Sequence, residues 1–303
     1  MNTKAIIGLG LKVIVLTLVM LVSFIVAGLV TGQQAEPAEE AGALLLPLLV
    51  VCFLNTIALT YPILRSRWSG LRLMAVVFVV SYGVITVMSL IEAVFFMTNI
   101  PASEIPKLFL MGAIVALIFS PLAVLILGKM RRGTTIEGPN SRLIMPWREW
   151  VWKLAVIAVA YLILYFTFGY FVAWQNPAVR ELYGGGPLIG FLPHMGVVLQ
   201  DTPSLVPFQV LRAMMWVALA LPVIRMMKGK PWEAALAAGL LFAVLHASQL
   251  LLPNPYMPQA VRMVHLAEIA PSIFIFGWLV VWLLNRHHYS LGELFQWSKE
   301  TYK

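Results

Sequence analysis

Eight apolar runs, near residues 5–31, 43–64, 72–98, 106–128, 150–174, 205–226, 231–252 and 262–285, constrain this 303-residue chain more than any other feature. A helix crosses the hydrocarbon core of a bilayer with about 20 mostly apolar residues. The expected fold is therefore all-α, a polytopic bundle of about eight transmembrane helices. Composition agrees, with 61% hydrophobic and 11% charged residues, against about 45–50% and about 25% in soluble domains. Those proportions exclude a soluble enzyme, a disordered tail, a disulfide scaffold and a free nucleic-acid-binding domain. The net charge of +8 is then a matter of topology, and the partners expected are the bilayer itself and molecules within it. A single cysteine, Cys52, permits no internal disulfide and no multi-cysteine metal site.

Lysine and arginine placement sets the expected orientation. With the N-terminus inside, Lys4, Arg65, Arg67, Arg72, Lys129, Arg131, Arg132, Arg142, Arg148, Lys153, Arg225, Lys228, Lys230, Arg286, Lys299 and Lys303 gather on the cytoplasmic side. Only Lys107, Arg180 and Arg262 fall outside. Both termini are thus expected in the cytoplasm, and the acidic stretch with Glu36, Glu39 and Glu40 outside. A basic cytoplasmic linker, 131–149, separates a four-helix N-terminal half (1–130) from a four-helix C-terminal half (150–303). It leads into Pro146-Trp147-Arg148-Glu149-Trp150, an interfacial anchor with tryptophan at headgroup depth. The outer segment 175–204 is rich in Gly and Pro among apolar residues. Connections of that length are lids, re-entrant pieces or binding loops when they are not simply unstructured.

Titratable groups inside spanning helices cost about 2.5–3.5 kcal/mol each, so each needs a reason. Lys12 is near enough to the inner end to snorkel. Glu92, Arg212, His246, His265 and Glu268 all fall in about the outer third of the membrane, at about 1.5 Å per residue. His265 and Glu268 are three apart and share a helical face with Arg262. An imidazole and a carboxylate so spaced can ligate one divalent metal, zinc above all, with His246 and Glu92 completing the set. Water on that metal attacks an amide or ester while a remaining carboxylate serves as base. Glu92, Arg212 and Glu268 are the candidate catalytic groups, and His246, His265, Glu268 and Glu92 the candidate ligands. Two other readings stay open: a buried polar network fixing helix packing, and a solute or proton path. His194 joins the site only if the outer segment folds inward, and His287 and His288 belong to the inner interface. The run Ala234 to Gly239 suits close packing by a neighbouring helix.

In the C-terminal half, Leu219 to Arg225 leads through Lys228-Gly229-Lys230 into a helix ending Phe242-Ala243-Val244-Leu245-His246. A Gly-bearing helix follows, with Phe276-Gly277-Trp278 and Leu284-Asn285-Arg286. This order, over about 205–290, resembles the CPBP family, the CAAX-protease and bacteriocin-processing intramembrane metallopeptidases. Leu211-Arg212 stands where that family has paired glutamates, and no final His-x-x-x-Asn helix follows Arg286. The resemblance implies a metal-ligand or oxyanion-stabilising role for His246, with Glu92, His265 and Glu268 replacing the family's other site residues. It implies hydrolysis of a membrane peptide in the outer half of the bilayer. The alternatives are a non-catalytic partner of another membrane subunit, and a transporter of protons or small solutes.

Overall fold

The computed structural model describes residues 3–32, 38–97, 99–131, 140–286 and 292. Glu36, residues 132–139 of the basic linker, His287, His288, Lys299 and Lys303 lie outside the described residues, as do the side chains of Glu39 and Glu40. The chain is an all-α polytopic membrane protein, with eight helices among the described residues long and apolar enough to span a bilayer. These are α1 (Thr3–Val30), α2 (Ala38–Leu64), α3 with α4 (Gly70–Tyr82 and Met88–Phe96), α5 (Glu104–Ile126), α6 (Trp147–Phe168), α9 (Leu205–Met226), α10 (Pro231–Ala247) and α11 (Gln259–Leu284).

Two spans differ from the uninterrupted helices expected. A π-helical turn at Gly83–Val87 joins α3 to α4, and a second at Gly169–Ala173 extends α6. A π turn inserts a residue into the ladder and re-aims the side chains beyond it, and such turns concentrate at functional sites. Close neighbours hold the first in place: a Cβ on Gly83 would lie 2.4 Å from Leu219 Cδ2, and one on Gly112 would lie 1.9 Å from Thr86 Oγ1.

α10 is the central helix and the most buried of the spans. Its small face, Ala234, Ala235, Ala237, Ala238 and Gly239, is buried, and α11 lies against it. A Cβ on Gly277 would come within 3.0 Å of Gly239 Cα, so side chains are excluded where the two backbones meet. One hydrophobic core runs through both four-helix halves, from Leu16 and Met20 of α1 to Val280 and Leu284 of α11. On the opposite face α1 leaves Ile7, Leu11 and Leu29 exposed, which is the natural surface for lipid.

The end of the bundle that carries the start of α1 and the end of α11, here the terminal end, is closed by backbone hydrogen bonds. Arg67 N donates to Met226 O at 2.7 Å and Lys228 N to Arg65 O at 2.8 Å. The Arg142 guanidinium donates to Ile224 O, Met227 O and Gly229 O at 3.1, 2.5 and 2.6 Å. Lys153, fully buried, pairs with Glu149 at 2.6 Å and donates to Arg286 O at 2.5 Å. At the opposite end the 175–204 segment is not a bare loop. It contains α7 (Pro177–Leu182), whose first turn Asn176 caps by accepting from Ala178 N at 2.9 Å, and α8 (Phe191–Asp201).

Candidate functional site

A cavity of about 690 Å³ opens at the end of the bundle opposite the termini. Glu92, Arg212, His246, His265 and Glu268 all line it, so the five groups expected at similar depth converge. Their convergence has an energetic reason. Dispersed singly toward lipid, five such groups would cost about 12–18 kcal/mol, as much as the whole stability of an ordinary domain, about 5–15 kcal/mol. α7 and α8 contribute Val179, His194 and Val198 to the lining and Tyr183, just past the end of α7, adds to it, so the 175–204 segment roofs the site.

Within the cavity the groups form two clusters. In the first, Arg212 of α9 donates from Nη1 to Glu92 Oε1 at 2.8 Å and from Nη2 to Oε2 at 2.5 Å, a bidentate pair. Arg212 is 2% exposed, and its Nη1 also donates to Gln209 Oε1 at 3.1 Å. His246, in the last turn of α10, places Nε2 3.4 Å from Glu92 Oε2. Its other nitrogen, Nδ1, is 3.0 Å from Ser89 Oγ. Trp216 meets the imidazole edge to face, ring centroids 5.3 Å apart, and fixes its plane. Ser89 and Glu92 are three apart on α4, directly after the first π turn, and so face the cavity together.

The second cluster is on α11. His265 Nδ1 is 2.7 Å from Glu268 Oε2, and His265 Nε2 is 3.2 Å from the Tyr183 hydroxyl. Burial first, and then the carboxylates of Glu92 and Glu268, push the Tyr183 hydroxyl above its ordinary value. With Nδ1–H donating to Glu268, a neutral His265 can accept the Tyr183 proton at Nε2. Gly169 of the second π turn faces this carboxylate, since a Cβ there would lie 3.6 Å from Glu268 Oε1.

The four expected metal ligands therefore stand as two pairs rather than one coordination sphere. No three His, Cys, Asp or Glu side chains among the described residues come together as a metal-holding group. Arg262 shares the α11 stripe but turns away, donating from Nη1 to Leu250 O at 3.0 Å and Leu252 O at 2.5 Å. It fastens the end of the α10 span instead of balancing Glu268. His194 does fold inward: it is 8% exposed and packs at a tilt against Trp174 with ring centroids 4.6 Å apart. Burial lowers its pKa below the usual histidine value, so it sits in the roof as a neutral ring.

Sequence reasoning passed over Ser89, Tyr183 and Gln209. A serine in an apolar helix is ordinarily a packing residue, and only its three-residue spacing from Glu92 hints at more. Tyr183 has no local signal, because its contact with His265 depends on how the 175–204 segment folds back. No family model matches the chain, and no curated protein or solved structure matches it.

Proposed function

We propose that this chain is a membrane-embedded hydrolase acting on an acyl bond of an amphiphilic molecule that enters from the surrounding bilayer. The observation that carries the reading is the pairing of two imidazole–carboxylate couples, His246 with Glu92 and His265 with Glu268, on one apolar-walled cavity. Protein interiors are packed to crystal density, so a network serving helix packing alone has no use for a void of about 690 Å³. That volume lies within the range of small-molecule sites, about 300–1,000 Å³. A transport path is less well supported. Beneath the cavity Trp216 and Phe242 are fully buried and pack together with ring centroids 4.6 Å apart, so the bundle is filled there among the described residues.

Each cluster has the parts of an acid–base device. Glu268 holds His265 in one tautomer, and the opposite nitrogen faces a protonated phenol, so a proton can pass between Tyr183, His265 and the reacting group. The resemblance over 205–290 supports the reading through His246, which stands at the cavity on the Phe-x-x-x-His helix. The excess of Lys and Arg at the terminal end supports a cavity that faces away from the cytoplasm. In a Cys52-free variant, Asn254→Cys should then react with an impermeant maleimide in sealed cells, and Asn140→Cys only after lysis.

The enzymatic reading is tested in proteoliposomes with p-nitrophenyl esters of increasing chain length and an internally quenched apolar peptide. The wild type should hydrolyse at least one of them, and His265→Gln and Glu268→Gln should each lower the rate about 10²–10⁴-fold. Rates equal to protein-free liposomes overturn it, and rates unchanged in both variants remove the His265–Glu268 couple from the chemistry. Proton or solute flux without hydrolysis would establish the pathway reading instead.

A further inference from the structure

We infer that Ser89 is a nucleophile, activated by His246 and Glu92, and that the substrate is a carboxylic ester of an amphiphile carrying an acyl chain. The inference rests on the hydrolase reading and names its attacking atom and substrate class. Ser89 Oγ stands 3.0 Å from His246 Nδ1, and on the far side of the same ring Nε2 faces Glu92 Oε2 at 3.4 Å. A hydroxyl, an imidazole and a carboxylate in line are the arrangement that makes serine nucleophilic, recognised by geometry and not by chain order. With the imidazole proton on Nε2, directed at Glu92, the lone pair of Nδ1 is free to accept the Ser89 proton.

Three further observations point the same way. Arg212 grips Glu92 through both carboxylate oxygens, which fixes the carboxylate that orients the ring. Ser89 lines the cavity, so its oxygen is reachable. Most of the remaining wall, including Leu90, Phe96, Met97, Leu164 and Met257, is apolar. An acyl ester has the matching division, one polar carbonyl followed by hydrocarbon.

The step balances without an added oxidant or metal. Ser89 Oγ forms a bond to the acyl carbon while its proton passes to His246 Nδ1. The ester C–O bond breaks, and the leaving alkoxide takes that proton and departs as the alcohol. Water then attacks the acyl-serine, giving one proton to His246, which returns it to Ser89 Oγ as the acid is released.

The test is labelling of the full-length protein in detergent and in liposomes with an alkyl fluorophosphonate, which phosphonylates an activated serine with loss of fluoride. Mass spectrometry should place the adduct on Ser89. His246→Ala should slow labelling at least 100-fold, Ser89→Ala should abolish it and the ester hydrolysis, and Arg142→Met should leave both unchanged. Adduct mapping on the wild type decides the matter even if Ser89→Ala fails to fold. Ester hydrolysis with no adduct at Ser89, at an unchanged rate in a folded Ser89→Ala or Ser89→Gly variant, overturns the serine and leaves the hydrolase standing with water as nucleophile. Absence of both adduct and hydrolysis overturns the two together.

Discussion

Arg142 at the terminal end and Arg212 at the cavity end are both arginines held against a helix bundle, yet they are satisfied in different ways. Arg142 gives its guanidinium to three backbone carbonyls where α9 ends. Arg212 gives its own to Glu92, a carboxylate that also faces an imidazole. Carbonyls do not titrate in the accessible range, so the first arrangement can only hold helices in place. Carboxylates and imidazoles can exchange protons, and at the cavity end they stand with a serine hydroxyl beside space for a ligand. The class of partner, more than the charged residue itself, separates the two ends.

The largest expected effect comes from breaking the pair at the cavity end. Arg212→Met leaves Glu92 without its counter-charge in a largely buried site, and removing one partner of a buried pair costs about 3–5 kcal/mol. Reversible unfolding in mixed micelles should show that loss. The double variant Glu92→Gln with Arg212→Met should recover part of it, because no charge is then stranded. A loss below about 1 kcal/mol would put the pair in the range of surface ion pairs and remove the energetic contrast between the ends.

Arg142→Met should cost less, about 1.5–3 kcal/mol, the value of hydrogen bonds to a charged group. Some of its strength is already spent: burial, and then the neighbouring charge of Arg67, lower the Arg142 pKa. Its sharper signature is selectivity, with stability falling and turnover per folded molecule unchanged. A matching fall in turnover would mean that the two ends are coupled and that the comparison drawn from their partners fails.

The two ends were also unequally legible from the amino-acid sequence. Spans, their number and the basic bias of one end follow from hydropathy and charge, because a bilayer imposes length and polarity on each helix separately. Convergence of Glu92, Arg212, His246, His265 and Glu268 was readable for the same reason, since lipid makes isolation costly. Their partition into two pairs was not. It depends on the π turns at Gly83–Val87 and Gly169–Ala173, which rotate α4 and the end of α6 by amounts no residue pattern announces. It also depends on the fold-back of α7, which delivers Tyr183 to His265 Nε2 and so leaves that nitrogen occupied. Arg262 shows the complementary limit: its stripe position with His265 and Glu268 is correct, but the carbonyls of Leu250 and Leu252 reach it first.

The smallest effect belongs to the roof and concerns pH. His194 is held neutral between Trp174 and Tyr170 by burial, with its pKa below the ordinary histidine value. Between that lowered value and the ordinary one, about 6.5, the unfolded chain binds a proton at this residue and the folded chain does not. Stability from this site is therefore fully present above about pH 6.5 and declines as pH falls through that value, until the folded imidazole is itself protonated. His194→Phe keeps an aromatic ring packed in the roof and removes the proton. The difference in melting temperature between variant and wild type should widen in the variant's favour from pH 7.5 to pH 5.5, with hydrolysis at pH 7.5 little changed. A parallel pH dependence in the two proteins would mean that His194 does not titrate on folding. A fall in hydrolysis at pH 7.5 comparable to that of His265→Gln would instead move His194 from the roof into the chemistry, and the division between a covering segment and a reactive floor would have to be redrawn.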